Sequence, residues 1–313
     1  MFRATVFCFC SLTYKKNFNH TGFRHCMADF AGFFPGIIYI VLLKYLLKRI
    51  YMTDITETIK AKLDEIERNE NIRILYACES GSRAWGFASP DSDYDVRFVY
   101  VRPVEFYLKI EKTKDTLECE LNETYDISGW DLKKLLWLLN RSNPSIFEWA
   151  ASPIVYKTTV EWESVRKILG NHFSAVKALY HYNSITKNNL RRYFDGRNEV
   201  KYKPYLYNLR QCLACQWIMD KKSPPPIVFD ALKKACLPQE LEETVDKMLA
   251  LNKNKEEKDT GSRIREIDTY IEEIVSKVEE YLETQKERRE SDWEELNGVF
   301  RSVISKAFPD TRP

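Results

Sequence analysis

The sequence has no useful excess of charge of either sign. Its 313 residues carry 48 Lys/Arg against 46 Asp/Glu, a formal net charge of +2. No global positive field is therefore available to hold a polyanion non-specifically. Residues 1–52 hold seven basic residues against one acid, Asp29, which leaves 41 basic and 45 acidic residues for the remainder. Any nucleic-acid contact by that remainder needs a local patch. Cysteine lacks a pattern. The eight cysteines, Cys8, Cys10, Cys26, Cys78, Cys119, Cys212, Cys215 and Cys236, fall at no repeated spacing, which excludes a disulfide framework and points to a reducing, cytoplasmic compartment. No internal repeat is visible. A long apolar run is missing too. Phe30–Leu43 is uncharged for fourteen residues but contains Pro35 and Gly36, whereas a spanning helix needs about 20 apolar residues. No small-residue cleavage site follows it, so it does not read as a signal peptide. Met52 reads as the true start, with residues 1–51 as an extra segment. The alternative is a weak membrane anchor in which Tyr45–Leu47 extend the run and Lys44, Lys48 and Arg49 keep the body cytoplasmic. No obligate membrane partner is expected.

What is present is an ordinary globular balance, 44% apolar and 30% charged, in a length that suits roughly two domains. After Met52, Thr53 can cap a helix whose Ile55, Ile59, Leu63 and Ile66 recur every three or four residues. Ile72–Cys78 reads as a buried strand, Asp95–Val101 as an alternating one, and Thr116–Glu120 and Glu123–Ser128 as two more. Glu79–Ser82 and Ser89–Ser92 are turns. From Asp131 the pattern becomes helical, with segments predicted over 132–139, 144–150, 159–169, 173–194, 204–220, 229–235, 239–251 and 262–287. The predicted organisation is an α+β domain over 52–157, an all-helical domain over 158–289 and a polar tail over 290–313.

The stretch that carries chemistry is Glu79-Ser-Gly-Ser-Arg-Ala-Trp-Gly86, followed by Ser92-Asp-Tyr-Asp-Val96. Residues i and i+2 of a strand share a face, so Asp93 and Asp95 converge while Tyr94 and Val96 point away. Two carboxylates held that close repel each other, and a divalent cation between them relieves the repulsion. Oxygen-only ligands suit Mg²⁺ or Mn²⁺. Gly81 permits close approach of the backbone to a ligand, Ser82 adds a hydroxyl donor, and exposed amides at a helix start attract phosphate. Arg83 has a planar fork for phosphate oxygens, or it pairs with Glu79. A third carboxylate is wanted on a neighbouring strand. Asp126, in the triplet Tyr125-Asp126-Ile127, is the choice; Asp131 is the rival, although its place before Leu132-Lys-Lys-Leu-Leu fits a helix N-cap better. Three carboxylates would allow two ions to clamp an in-line phosphoryl transfer, with Asp126 as base.

Gly-Ser, a spacer, Asp-x-Asp and a separate hydrophobic-Asp-hydrophobic triplet resemble the signature of the DNA polymerase β-like nucleotidyltransferase superfamily. More closely, Glu79–Gly86 with Ser89–Asp95 is similar to the RNA repair pathway DNA polymerase β family. The similarity continues through Asp126–Asp131, Ser142–Ser145, Lys201–Tyr207, Arg210 and Gln216–Ile218, and leaves residues 1–51 unmatched. The resemblance implies a minimal palm-like mixed sheet with helices, followed by a helical domain, and transfer of a nucleoside monophosphate from an NTP.

Lys203, Tyr207 and Arg210 share one face of a helix beginning near Pro204. That face either touches a triphosphate or sugar or is a solvated basic surface. Trp85 reads as a packing residue. Cys212 and Cys215 read as core, and His172 and His181 are given no catalytic part. The leading expectation is a Mg²⁺- or Mn²⁺-dependent transferase, with two ions, that uses an NTP and a hydroxyl acceptor: an RNA end, a protein or a small molecule. The alternative is an inactive nucleotide- or partner-binding module of the same fold.

Overall fold

The structure, a computed structural model, describes residues 55–254, 260–285 and 293–309. The expectations for residues 1–51 lie outside the described residues. Chain contacts divide the molecule between Ile59 and Lys60. Of the first unit only residues 55–59 are described, as the opening of a helix, α1, that runs over 55–70. The second unit holds the five-stranded sheet and the other helices of the described residues. No helix among the described residues is long and apolar enough to cross a membrane.

The fold is α+β, as expected. A five-stranded mixed sheet is built from β1 (Arg73–Glu79), β2 (Tyr94–Val101), β3 (Thr116–Leu121), β4 (Tyr125–Asp131) and β5 (Val155–Thr158), in the spatial order β3-β4-β2-β1-β5. The central pair, β2 and β4, is parallel; the other neighbours are antiparallel. Such a parallel pair requires a crossover. The chain supplies it with a short helix, α3 (Val104–Tyr107), and the edge strand β3. Register across the pair is fixed by size. Gly129 faces Phe98, and a Cβ there would lie 2.2 Å from the ring. Only glycine leaves room for Phe98 at that crossing.

The helices α4 (Leu132–Asn140), α5 (Pro144–Ala150) and α6 (Val160–Arg166) build a core with Leu75, Tyr76, Val99 and Val101 of the sheet. Trp162 stacks on Tyr76 at 4.6 Å between ring centroids. The predicted polar tail differs from what is observed: Trp293–Ala307 is a helix, α12, and buries Leu296, Val303, Ile304 and Ala307 in this same core. Its apolar residues recur at helical spacing among many charges, and packing decides the outcome where composition reads as solvated. β5 and α3 are too short to leave a periodic signal and stand outside the predicted elements.

A second core is helical. The helices α7 (Ala175–Tyr193) and α8 (Tyr202–Lys221) pack with α9 (Phe229–Cys236), α10 (Glu242–Asn254) and α11 (Arg265–Thr284). Cys212 and Cys215 are buried there as free thiols, as the sequence suggested. This core also takes in Ala84 and Trp85, from a five-residue helix α2 (Gly81–Trp85), and Phe87 just beyond it. The turn after β1 is thus anchored in the helical core while its first residues touch the sheet.

Asp131, the rival to Asp126, is the N-cap of α4. Its Oδ1 accepts the Lys133 amide at 2.7 Å and its Oδ2 accepts the Tyr107 hydroxyl at 2.9 Å, capping α4. Asp131→Ala removes the cap and leaves the Tyr107 hydroxyl without its acceptor. A loss of about 1–3 kcal/mol in urea denaturation is expected, with an unchanged slope against urea.

Candidate active site

The sheet brings the predicted acids to one end of the parallel pair. Asp95 and Asp126 are cross-strand partners in β2 and β4, and Asp93 precedes β2 by one residue. The turn from β1 is tied to the same place, because the Ser80 amide donates to the Asp95 carbonyl at 2.8 Å. Gly81 adopts φ +60, and a Cβ there would sit 2.0 Å from Oδ2 of Asp95. Any other residue at 81 would be strained in its backbone and would also displace the carboxylate. The spacing between Gly81-Ser82 and Asp-x-Asp thus has a steric basis: the Asp95 side chain lies against the bare backbone of the turn.

Burial is the main influence raising the Asp95 carboxyl above its ordinary value. Arg97 opposes the rise, while Asp93 and Asp126 add to it. Asp93 and Asp126 therefore both lie within electrostatic range of Asp95. The sequence reading missed Arg97. It stands two residues past Asp95 on the same strand, and its Nη2 donates to Asp126 Oδ2 at 2.6 Å and Asp95 Oδ1 at 3.1 Å. Its Nη1 donates to the Asp126 carbonyl at 2.7 Å. The expected shell of three carboxylates around one point is not assembled. Among the described residues, no three Asp, Glu, His or Cys side chains gather as they stand into a metal-holding group, and a guanidinium lies between two of the acids. The signal for it was legible, since Arg97 shares the strand face of Asp93 and Asp95.

Glu79, also unassigned from sequence, supports Asp95 from behind. It is fully buried. Its Oε1 accepts the Asp95 amide at 2.9 Å, and its Oε2 accepts the Tyr156 hydroxyl. Burial pushes its carboxyl up to about 7, against the pull of those hydrogen bonds.

The remaining predicted residues divide into two groups. The Ser82 hydroxyl lies 3.4 Å from the Ser92 hydroxyl, and Tyr207 stands close enough to Ser82 to feel it. Desolvation first, then Asp95 and Asp93, raise the Tyr207 phenol, so its ring stands beside the acids. Lys203 stands there too. Burial lowers its ammonium, and Asp93, Asp95 and Asp91 oppose that. Arg83 and Arg210 are corrections. Arg83 does not face outward as a phosphate ligand: Nε donates to the Asp93 carbonyl at 2.8 Å, Nη2 donates to the Ser92 carbonyl, and the guanidinium lies 3.8 Å from the Tyr94 ring centroid. It fixes the loop that carries Asp93. Arg210 is wholly buried. It pairs with Glu148 at 3.0 Å, donates to the Ile227 carbonyl and lies 4.2 Å from the Trp85 ring centroid. Engaged in the interior by Glu148 and the Ile227 carbonyl, it braces Trp85 and does not reach the surface. Trp85 itself packs against Tyr207 at 4.9 Å, in keeping with a packing role. His181 and His172 lie outside this group; His172 pairs with Glu295 at 2.8 Å.

All-oxygen donors beside a glycine cradle suit a hard divalent cation. Arg97 already supplies positive charge where such an ion would relieve repulsion, so the residues fit the group once that guanidinium gives way.

The sequence profile of the RNA repair pathway DNA polymerase beta family matches residues 55–302. A protein of Bacillus subtilis (strain 168), named "Uncharacterized protein YcgL", is 38% identical over 251 residues, covering 80% of this chain and 96% of that protein.

Glu79 gives the metal-free protein a signed pH dependence. Its folded value, near 7, lies above the ordinary 4.5, so the native state holds a proton that the unfolded state releases between those values. Its contribution to stability is then fully present below about pH 4.5 and lost as pH rises toward 7. Thermal unfolding in a chelator should show Glu79→Gln gaining on the wild type by roughly 2–3 kcal/mol from pH 5 to pH 8. A constant difference across that range would contradict the assignment.

Proposed function

The chain belongs to the RNA repair pathway DNA polymerase beta family, and from that premise we propose that it is a metal-dependent nucleotidyltransferase. In this reading it moves a nucleoside monophosphate from an NTP to a hydroxyl acceptor. The observation that carries it is the pairing of Asp95 with Asp126 across β2 and β4, beside the Gly81 turn. Asp93, Asp95 and Asp126 are the side chains that would hold Mg²⁺ or Mn²⁺, and the ions would offset triphosphate charge and make the acceptor hydroxyl more acidic. The chain's own groups do the rest. The Gly81-Ser82 backbone and the Ser82 hydroxyl receive phosphate oxygens, with Tyr207 beside them. Lys203 supplies positive charge to the leaving group. Asp126 takes the acceptor's proton as its oxygen bonds to the α-phosphorus and pyrophosphate departs.

The acceptor that the surface favours is a polynucleotide end. Arg191, Arg192, Arg197 and Lys201 are all exposed, against the two exposed acids Asp195 and Glu199 in the same stretch. Lys201 is close enough to Lys203 to influence its ammonium. These side chains would supply the local patch that a chain of nearly balanced charge requires for a polyanion. A non-catalytic module is the second reading, favoured by Arg97 standing between two of the acids.

Incubation with each labelled NTP, Mg²⁺ or Mn²⁺ and RNA, protein or small-molecule hydroxyl acceptors should release pyrophosphate and label an acceptor. Asp95→Asn should lower that rate by at least about 10³-fold while the fold, followed by circular dichroism, persists. Nucleotide binding with no turnover on any acceptor would leave only the binding module. Separately, Arg192→Gln with Arg197→Gln should weaken binding of a single-stranded RNA oligonucleotide. It should also reduce the slope of log affinity against log salt by about 0.7 for each phosphate that the variant no longer neutralises. An unchanged slope would remove the polynucleotide as acceptor.

A further inference from the structure

Arg97 has the geometry of a counter-ion, not of a surface arginine. Its side chain is 18% exposed, and those of Asp95 and Asp126 are 23% and 28% exposed. One nitrogen bridges the two carboxylates, and the other grips the Asp126 and Val96 carbonyls, at 2.7 and 3.2 Å. Because β2 and β4 are parallel and in register, the two acids stand opposite each other. A like-charged pair at that separation, partly withdrawn from water, is unfavourable unless a cation lies between them. Arg97 is that cation, and it is tethered to the same strand.

We propose that Arg97 is a positioning residue that fills the gap between Asp95 and Asp126 and yields it when a metal-bound nucleotide arrives. This rests on the nucleotidyltransferase reading and adds an order of binding to it. A free divalent ion must displace a guanidinium held by four hydrogen bonds, so metal alone binds weakly. A nucleotide carrying its ion brings triphosphate oxygens as additional ligands and as new partners for positive charge, and the exchange becomes favourable. Until then the Asp126 carboxylate is engaged by Arg97, so the site is assembled only with its substrate in place. A tethered cation also keeps β2 and β4 paired in the empty enzyme, where bare carboxylates would push the strands apart.

The test is Mn²⁺ titration followed by electron paramagnetic resonance on wild type, Arg97→Gln and Arg97→Lys, first without and then with a non-hydrolysable NTP. Without nucleotide, Arg97→Gln should bind Mn²⁺ at least about tenfold more tightly than wild type, a modest effect for one unit charge a few ångströms away. Arg97→Lys, which keeps the charge, should stay close to wild type. With nucleotide the gap between Arg97→Gln and wild type should narrow. If wild type takes up Mn²⁺ with nucleotide but Arg97→Gln gains nothing without it, Arg97 is not a competitor and the proposal fails alone. If wild type takes up no Mn²⁺ even with nucleotide, the reading of the whole site fails with it. Should Arg97→Gln not fold, nitrogen-15 spectra of arginine-labelled wild type decide the matter. The Arg97 side-chain signals should shift on adding Mg²⁺ with the non-hydrolysable NTP, and unaltered signals in nucleotide-saturated protein would overturn the proposal.

Discussion

The arrangement depends on electrostatic repulsion among acids held together by a sheet. Asp95 and Asp126 stand opposite each other because β2 and β4 run parallel and in register. Asp93 adds a third negative charge within range. The backbone ladder fixes where the two side chains start, side by side on adjacent strands. The molecule needs positive charge there, and in this structure Arg97 supplies it, with Lys203 nearby. The surrounding features serve the same point. Gly81 gives up a Cβ so that the Asp95 carboxylate can lie against the turn, and Glu79 holds the Asp95 amide from the buried side.

Both hydrophobic cores hold elements of this site. The sheet core, extended by α6 and α12, fixes β1 and β2. The helical core holds Trp85 through Arg210 and Tyr207, and Trp85 ends the short helix that starts at Gly81. A change deep in α8 can therefore move the turn beside Asp95 without touching the sheet. Arg210 illustrates this: it is far from a surface ligand in role, yet its guanidinium rests on the element that carries Ser82.

Much of this was legible in the sequence because strand periodicity and turn chemistry are local. Alternation placed the strands, the Gly-Ser turn and the facing Asp-x-Asp, and Asp131 announced itself as a cap ahead of an apolar helix. The errors came from long, charged side chains, whose partners are set by tertiary contacts. Arg83 and Arg210 read as phosphate ligands because both are cationic and lie near the right residues. Folding gives one a loop backbone and the other a buried carboxylate. Arg97 was overlooked for the converse reason: a strand arginine looks solvated until the parallel neighbour brings Asp126 alongside. The helix Trp293–Ala307 was missed because charges dilute an apolar stripe that only the sheet core completes.

The most direct test is crystallographic: crystals grown with Mn²⁺ and a non-hydrolysable NTP, with data collected at the manganese absorption edge. An anomalous peak ligated by Asp93 and Asp95 and by triphosphate oxygens, with the nucleotide against Gly81-Ser82, is the predicted result. Nucleotide bound elsewhere, or bound beside these acids with no anomalous peak among them, would contradict the account.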